Sequence, residues 1–314
     1  MDLMQYGVTH NIEDEVSYRF VAYLIGLLLA FESMLLLACC CVSIIYGERD
    51  LMSFIVSFAL CLSVSAILLV YGRRRKCAMS RNEGYIVVAL SWVFFSVFGM
   101  VPYLWGGFIP NITDAFFETM SGFTTTGATI LDNIESMPHG ILFWRSLTQW
   151  IGGLGIVCFT IVLLPGFGAS SQMLYLSEAT GVTHNKLYPK TRVMARYIFM
   201  VYILLTAIES ALLMAGGMGL FDALCHSMTT TATGGFSTKQ ESIAYWHSPY
   251  IEYVVSIFML LSAINFSLYI VAFKSKWKKL REFVELKWFA CSVGLLTLII
   301  SAVLFLNNGY SAEE

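Results

Sequence analysis

Residues 115–128 read AFFETMSGFTTTGA, and residues 223–236 read ALCHSMTTTATGGF. The two stretches share one plan at a spacing of 108 residues: an acidic residue precedes each of them (Asp114 and Asp222), an apolar segment follows, and threonines and glycine end it. Each stretch also lies between two long apolar segments. The duplication predicts two copies of one structural unit, and the rest of the chain is organised around them.

The composition is typical of an integral membrane protein. Of the 314 residues, 57% are hydrophobic and 13% are charged, whereas about 25% of the residues of a soluble domain are charged. The net charge of −2 by itself indicates nothing about partners. The apolar composition makes membrane lipid the expected surrounding, and no nucleic-acid partner is expected. Most of the eight cysteines lie inside apolar runs, which indicates packing rather than disulfide or metal chemistry.

Seven apolar runs are long enough to cross the hydrocarbon core, which takes about 20 helical residues. The predicted spans are residues 20–46, 51–71, 85–106, 141–165, 197–216, 250–273 and 286–306. The predicted fold is therefore all-α and membrane-integral: two accessory spans, two span–re-entrant pore helix–span repeats, and one further span. The corresponding segments are residues 1–83, 84–166, 167–273 and 274–314.

The distribution of basic residues predicts the orientation. Basic clusters at residues 73–81, 186–196 and 274–287 fall on one side of the seven spans, together with Arg19. The positive-inside rule makes that side cytoplasmic and places the amino terminus there. The basic residues left on the outer side are Arg49, Arg145 and Lys239.

Each copy of the repeated stretch is interpreted as a short helix that dips into the membrane, followed by an extended filter strand. Both stretches are too apolar for exposed loops and too short to cross the membrane and return. Non-helical backbone at membrane depth is tolerated where it lines water or is buried in protein. Glycine allows positive φ, threonine favours extended backbone, and rings of carbonyl oxygens replace the hydration shell of a cation.

The expected potassium site is formed by backbone carbonyls, with no transition metal. Its predicted filter residues are Thr124, Thr125, Thr126, Gly127, Ala128, Ala232, Thr233, Gly234, Gly235 and Phe236. The predicted supporting residues are Glu118, Asp114 and Asp222. Thr113 or Asp114, and Asp222 in the second copy, are expected to cap the amino ends of the short helices, while Glu118 would support the filter from behind or attract cations. The alternative for both copies is a pair of glycine-rich turns that end helical hairpins.

The residues of both copies resemble the TrkH/KtrB superfamily of potassium transporters. The matching stretches are SGFTTTGAT (121–129) and MTTTATGGFST (228–238), with WRSLTQWIGGLGI (144–156) and INFSLY (264–269) similar to the second spans of the first two repeats. Superfamily members contain four tandem repeats around one pathway, and each repeat contributes one filter glycine. The two extra spans before the first repeat indicate the TrkH branch. The resemblance implies a potassium uptake subunit in a bacterial inner membrane, with Gly127 and Gly235 as filter glycines.

The resemblance also implies a partner and the absence of a cofactor. Members of the superfamily bind a cytosolic, nucleotide-binding regulatory subunit, for which the basic loops 166–196 and 274–285 are candidate docking surfaces. Enzymatic activity is not expected, because no catalytic triad, metal cluster or phosphate-binding loop is present in the sequence. Potassium is the substrate, and no cofactor is expected.

The sequence departs from the superfamily pattern by predicting two repeats instead of four. Two filter strands cannot surround an ion, and the gating loop and pore arginine of the later repeats are missing. A homodimer, a separate carboxyl-terminal half or truncation would account for this, and truncation is favoured because a designed split would fall between repeats. The alternative function is a nonconducting membrane protein that associates with full-length subunits. A carrier with inverted repeats is disfavoured, since both copies run in the same direction.

Several polar and small residues within the spans leave more than one role open. Arg145 could pair with Glu118 or Asp132, although anchoring at the membrane interface is the favoured interpretation. The Gly152–Gly155 segment permits close helix approach or a bend, and packing is the default. Two intramembrane carboxylates have either a functional role or a hydrogen bond to a neighbouring helix, and these are Glu32 and Glu209.

Overall fold

The computed structural model describes residues 16–73, 81–163, 191–264, 266, 268–269 and 284–308. Within this part of the chain all regular secondary structure is helical, which confirms the predicted fold class at the level of an all-α protein. The chain divides into two compact units, one ending at Ala263 and one beginning at Ile264. The first unit contains both repeated stretches.

The helices of the described residues are numbered here in chain order. They are α1 (Tyr18–Tyr46), α2 (Leu51–Tyr71), α3 (Arg81–Gly99), α4 (Val101–Trp105), α5 (Ile112–Phe123), α6 (His139–Leu163), α7 (Thr191–Ala215), α8 (Leu220–Thr231), α9 (Pro249–Ala263) and α10 (Val284–Asn308). Short 3₁₀ helices occur at Ile134–Ser136 and Ser242–Trp246. The repeated stretches fall on α5 and α8.

Five segments are long and apolar enough to cross a membrane: residues 18–46, 51–71, 83–105, 196–215 and 286–306. They agree closely with five of the seven predicted spans. The other two predictions extend beyond the described residues, since α6 is described to Leu163 and α9 to Ala263. A total of seven spans therefore stays a prediction.

The helix boundaries differ from the sequence prediction on the amino side of α7. That helix begins at Thr191, six residues before the predicted span, so Arg192 and Arg196 belong to a helix rather than to a loop. The other basic residues of the predicted loops 166–196 and 274–285 lie outside the described residues. Apolarity marks only the part of a helix that suits lipid, and α7 continues past it with polar residues.

The accessory helices α1 and α2 form a closely packed hairpin. Gly47 ends α1 with a φ of +64°, which a glycine adopts without steric cost. Farther along the pair, Ser65 donates a hydrogen bond of 2.7 Å to the Gly26 carbonyl oxygen. A Cβ on Gly26 would lie 3.1 Å from Leu68 and Leu69, so the small residue allows the two backbones to approach.

An aromatic core fixes the carboxyl end of α5 against α3 and α6. The Phe123 ring packs edge-on against Phe95 at 5.2 Å and against Trp144 at 6.1 Å between ring centroids. The Trp144 indole N–H donates to the Gly99 carbonyl at 2.9 Å. Edge-to-face aromatic pairs of this kind add about 0.5–1.5 kcal/mol to area burial. The end of α5 is therefore held from two sides.

Helix α6 passes between the carboxyl ends of α5 and α8. A Cβ on Gly152 would lie 1.9 Å from the Phe123 carbonyl oxygen, and a Cβ on Gly153 would lie 2.8 Å from Ala232. The helical dihedral angles are interrupted at Gly155, with φ 71° and ψ 136°. Both predicted roles of the Gly152–Gly155 segment are therefore observed. Gly152 and Gly153 allow close approach of the helices, and Gly155 interrupts α6.

Candidate ion-binding site

The N-cap of the first short helix, α5, lies two or three residues earlier than the sequence suggested. Its N-cap is Asn111, whose side-chain oxygen accepts the Thr113 N–H at 2.9 Å. Asp114 lies in the first turn, where a carboxylate is favoured by the helix dipole. The prediction that Thr113 or Asp114 caps this helix is therefore wrong, because both residues are already helical.

The second short helix, α8, begins at a glycine cap. Gly219 occupies the N-cap position and has no side chain to bond the free N–H groups. Asp222 lies in the first turn, and its carboxylate instead accepts the Thr238 hydroxyl at 2.6 Å and lies 3.8 Å from the Lys239 ammonium. The expected cap at Asp222 is wrong, and the carboxylate ties the helix to the segment that follows the turn.

Both short helices end in the same hydrogen-bonded turn. In α5, Thr125 N–H donates to the Gly122 carbonyl at 3.0 Å and Thr126 N–H to the Ser121 carbonyl at 2.9 Å. In α8, at the same register, Thr233 N–H donates to Thr230 at 2.8 Å and Gly234 N–H to Thr229 at 2.9 Å. This pair of bonds is the Schellman motif, which ends a helix with a residue in the left-handed conformation.

The left-handed residue is a threonine in both copies, so the expectation of extended backbone at the threonines is wrong for Thr125 and Thr233. Thr125 has a φ of 54° and Thr233 a φ of 56°, and the glycines two residues later have φ values of 75° (Gly127) and 86° (Gly235). A β-branched residue at positive φ is strained, and strain of this kind costs about 1–3 kcal/mol. Four matching positive-φ positions in two copies show that the backbone path itself is repeated.

The two turns meet at Gly127. A Cβ on Gly127 would lie 2.0 Å from the Gly234 carbonyl oxygen, so the backbones of the two copies are in direct contact there. At Gly235, the equivalent position of the second copy, a Cβ would meet no heavy atom within 4 Å among the described residues. The two copies therefore stand side by side, with one edge of the second copy unoccupied.

Unpaired carbonyl groups concentrate at these turns. Within the described part of the chain, no N–H or O–H group donates to the carbonyl oxygens of residues 125–127 or 233–235. The Ala128 carbonyl differs, since it accepts the Ser121 hydroxyl at 2.6 Å. Oxygens without a donor are suited to a cation, so the geometry favours residues 125–127 and 233–235 over the longer predicted set.

Each short helix is bonded to the segment that follows its own turn by an equivalent pair of side chains. In the first copy, Glu118 accepts the Thr129 hydroxyl at 2.9 Å and the Ile130 N–H at 3.0 Å. In the second copy, the imidazole Nε2 of His226 lies 2.9 Å from the Ser237 hydroxyl. Glu118 and His226 occupy the same register position, and so do Thr129 and Ser237.

Two side chains of α6 reach both copies. Arg145 forms an ion pair with Glu118 at 2.9 Å, and both side chains are buried, with 1% and 0% of their surface exposed. Gln149, one turn later, accepts the Phe236 N–H at 2.9 Å. The favoured interpretation of Arg145 as an interface anchor is wrong, because the guanidinium is inside the protein, and its pairing with Glu118 is the alternative that holds.

The remaining predicted filter residues divide into exposed and buried positions. Thr124 is exposed at the end of α5, with its hydroxyl 2.8 Å from that of Thr126. Ala232 and Phe236 are buried, each with 3% of its surface exposed. Sequence reasoning missed Thr129, Ser237 and the contacts of Gln149. The signal for the first two was available, since hydroxyl residues recur there in register.

These features define a class of protein: an all-helical membrane protein in which a short helix and the turn after it occur twice. A family model for TrkH, a cation transport protein, matches residues 50–306, and the chain belongs to this family. The family is one of transport proteins rather than enzymes and needs no cofactor, as the sequence predicted.

Named relatives and a solved structure agree with this assignment. The chain is 35% identical over 305 residues to the Trk system potassium uptake protein TrkH of Escherichia coli K12, covering 94% of this chain and 62% of that protein. It is 35% identical over 275 residues to TrkG of the same organism, covering 86% of this chain and 56% of that one.

The crystal structure of the potassium transporter TrkH from Vibrio parahaemolyticus is similar in fold. It matches with a TM-score of 0.81 and 32% identity, covering 95% of this chain and 61% of that one. The chain thus spans about three-fifths of the length of the relatives that it matches.

Proposed function

We propose that the chain is a potassium translocation subunit of a Trk-type uptake system, in which the cation passes a filter of backbone carbonyls. The observation that carries the proposal is the contact between Gly127 and Gly234, with unpaired carbonyl oxygens on both turns. Cations exchange water for such oxygens when these lie on a shared axis. The relatives named as potassium uptake proteins supply the substrate.

The short helices support the same role through their dipoles. The carboxyl ends of α5 and α8 precede the two turns directly. Each helix end carries about half a negative charge, and the ion pair of Glu118 and Arg145 adds no net charge behind them. A site with this surrounding favours cations over anions. In the proposal, α5 and α8 are re-entrant pore helices of repeats at residues 84–166 and 167–273.

The open edge at Gly235 supports a filter with further strands. By the relationship of Gly127 to Gly234, the position at Gly235 has room for the backbone of another copy of the turn. Additional repeats at the carboxyl end, or a second copy of this chain, would supply it. We place the protein in a bacterial inner membrane with its amino terminus in the cytoplasm, where a nucleotide-binding regulatory subunit would dock on the basic loops.

The same open edge favours a second candidate function. A chain with two filter strands that assembles with full-length subunits without conducting would also leave Gly235 uncovered. The two functions differ in whether expression of this chain restores potassium uptake.

Uptake in cells that lack other potassium transport systems tests the proposal. With a second copy of this chain completing the filter, we expect the chain to restore uptake at low external potassium and Gly127→Ser to abolish it, because the serine Cβ would collide with the Gly234 carbonyl. Gly47→Ser is the matched control, since Gly47 also has positive φ but no neighbour within 4 Å. Uptake that is indifferent to Gly127→Ser, or absent from the unchanged chain, would contradict potassium translocation by this chain.

A further inference from the structure

The guanidinium of Arg145 bonds three groups that belong to two copies of the repeated unit. Its Nε donates to Glu118 at 2.9 Å and its Nη2 to the Thr129 hydroxyl at 3.2 Å, both in the first copy. Its Nη1 donates to the Ser237 carbonyl at 3.0 Å, in the second copy. A planar group with donors in fixed directions sets the distance between the acceptors that it bridges.

Helix α6 holds the segment after the second turn at Phe236, through two of its side chains. The guanidinium carbon of Arg145 lies 4.2 Å from the centre of the Phe236 ring, a distance at which a cation is attracted to an aromatic face. Gln149 accepts the Phe236 N–H at 2.9 Å. Both bonds lie directly after Gly234 and Gly235, so they fix the carbonyl-bearing turn from its carboxyl side.

The ion pair with Glu118 balances the positive charge that Arg145 would otherwise place beside a cation pathway. A lone buried guanidinium beside a cation pathway would repel the cation and would be costly in itself. Glu118 lies 2.9 Å from Arg145 and neutralises it. The residue thus retains its geometric effect while its charge is balanced.

The side-chain bonds within each copy cannot provide this link, because each joins a short helix to the segment after its own turn. Glu118 with Thr129 serves the first copy, and His226 with Ser237 the second. Arg145 joins the two pairs by bonding the Thr129 hydroxyl and the Ser237 carbonyl at once. Together with the Gly127–Gly234 contact and the bond of 3.2 Å from the Ile134 N–H to the Gln240 side chain, this side chain sets the separation of the two turns.

We propose that Arg145 is a positioning residue that sets the separation of the two filter turns, and thereby the preference among monovalent cations of different size. This inference rests on the proposed function. A cation's dehydration is offset when oxygens stand at its own coordination distance. A change in the separation of two oxygen-bearing turns consequently changes which cation is favoured.

The test compares Arg145→Lys with Glu118→Gln in the full chain, by potassium uptake with sodium as competitor. Lysine keeps the charge but loses the fork that spans the two copies, so we expect the potassium-over-sodium ratio to fall about tenfold, as for loss of a charged hydrogen bond. Glu118→Gln leaves the bridge to Ser237 but unbalances the charge, so we expect maximal uptake to fall while the ratio is retained. Arg49→Lys, at an exposed arginine, is the matched control.

Thr129→Val is the second variant, in case Arg145→Lys does not accumulate in the membrane. It removes one of the three acceptors without changing charge or volume, and we expect the ratio to shift in the same direction by a smaller factor. An unchanged ratio in either accumulating variant overturns the inference while leaving potassium uptake intact. Absence of uptake by the unchanged chain overturns the proposed function and this inference together.

Discussion

Gly127 has no space for a side chain because the carbonyl oxygen of Gly234 occupies it: a Cβ there would lie 2.0 Å from that oxygen. The contact joins equivalent turns of two units that are far apart in sequence. It makes the two turns parts of one site, and it allows the contribution of packing at this glycine to be separated from that of its dihedral angles.

Gly127→Ala is expected to destabilise the protein more than Gly47→Ala. Both residues have positive φ, 75° and 64°, so both variants incur the cost of a left-handed residue, about 1–2 kcal/mol. Only Gly127 has a neighbour where the Cβ would stand. Thermal unfolding of the purified protein in detergent measures the difference, and equal losses would contradict the observed contact between the turns.

Gly235→Ala is expected to resemble Gly47→Ala in stability but Gly127→Ala in transport. In this chain a Cβ at Gly235 meets no described atom within 4 Å, so only the φ of 86° is unfavourable. In an assembled filter, another turn would occupy that space. Unfolding temperature and potassium uptake measured on the same variants check this. Uptake by Gly235→Ala as high as uptake by Gly47→Ala would indicate that nothing packs against Gly235.

Glu118 and Arg145 are expected to be strongly coupled. Removing one partner of a buried ion pair costs about 3–5 kcal/mol, whereas removing both is much less costly. Glu118→Leu and Arg145→Met should each lower the free energy of unfolding strongly. In the double variant, the second change should add much less destabilisation than it causes alone. The partly exposed pair of Asp222 and Lys239, at 3.8 Å, is the comparison, because Lys239→Met should cost about 1 kcal/mol or less. Additive effects of the first two changes would show that the buried pair is not formed.

Asn111→Ala is expected to destabilise α5 by about 1 kcal/mol, the usual cost of a lost N-cap. The Asn111 side chain accepts the Thr113 N–H at 2.9 Å, whereas Thr113 is itself helical. Thr113→Val should therefore have little effect. Hydrogen exchange at the amino end of α5 measures both variants. A larger effect of Thr113→Val than of Asn111→Ala would indicate that Thr113 caps the helix.

The repeat of AFFETMSGFTTTGA and ALCHSMTTTATGGF made the matched pair of turns predictable. Register alone aligned Thr125 with Thr233 and Gly127 with Gly235, and the structure gives all four positive φ. Composition and run length likewise located five long apolar helices. These features depend on local sequence, since a helix end and an apolar run are both encoded within a few successive residues.

The features that sequence did not reveal depend on distant partners. The role of Arg145 depends on Glu118 and Ser237, which lie 27 and 92 residues away from it. A span-initiating arginine is by itself compatible with anchoring at the membrane surface, and only the packing of α6 between the two copies decides against it. The caps were missed for another reason: each short helix begins before its acidic residue, directly after an N-cap at Asn111 or Gly219.

The bond between Arg145 and the Ser237 carbonyl also orders the events of biosynthesis. When Arg145 is synthesised, Glu118 has already been made, but the acceptor at Ser237 is made 92 residues later. The bond that joins the first copy to the second can therefore form only after α7 and α8 have been synthesised. A nascent chain arrested before Ser237 would hold the first repeat without the contact that aligns it with its neighbour.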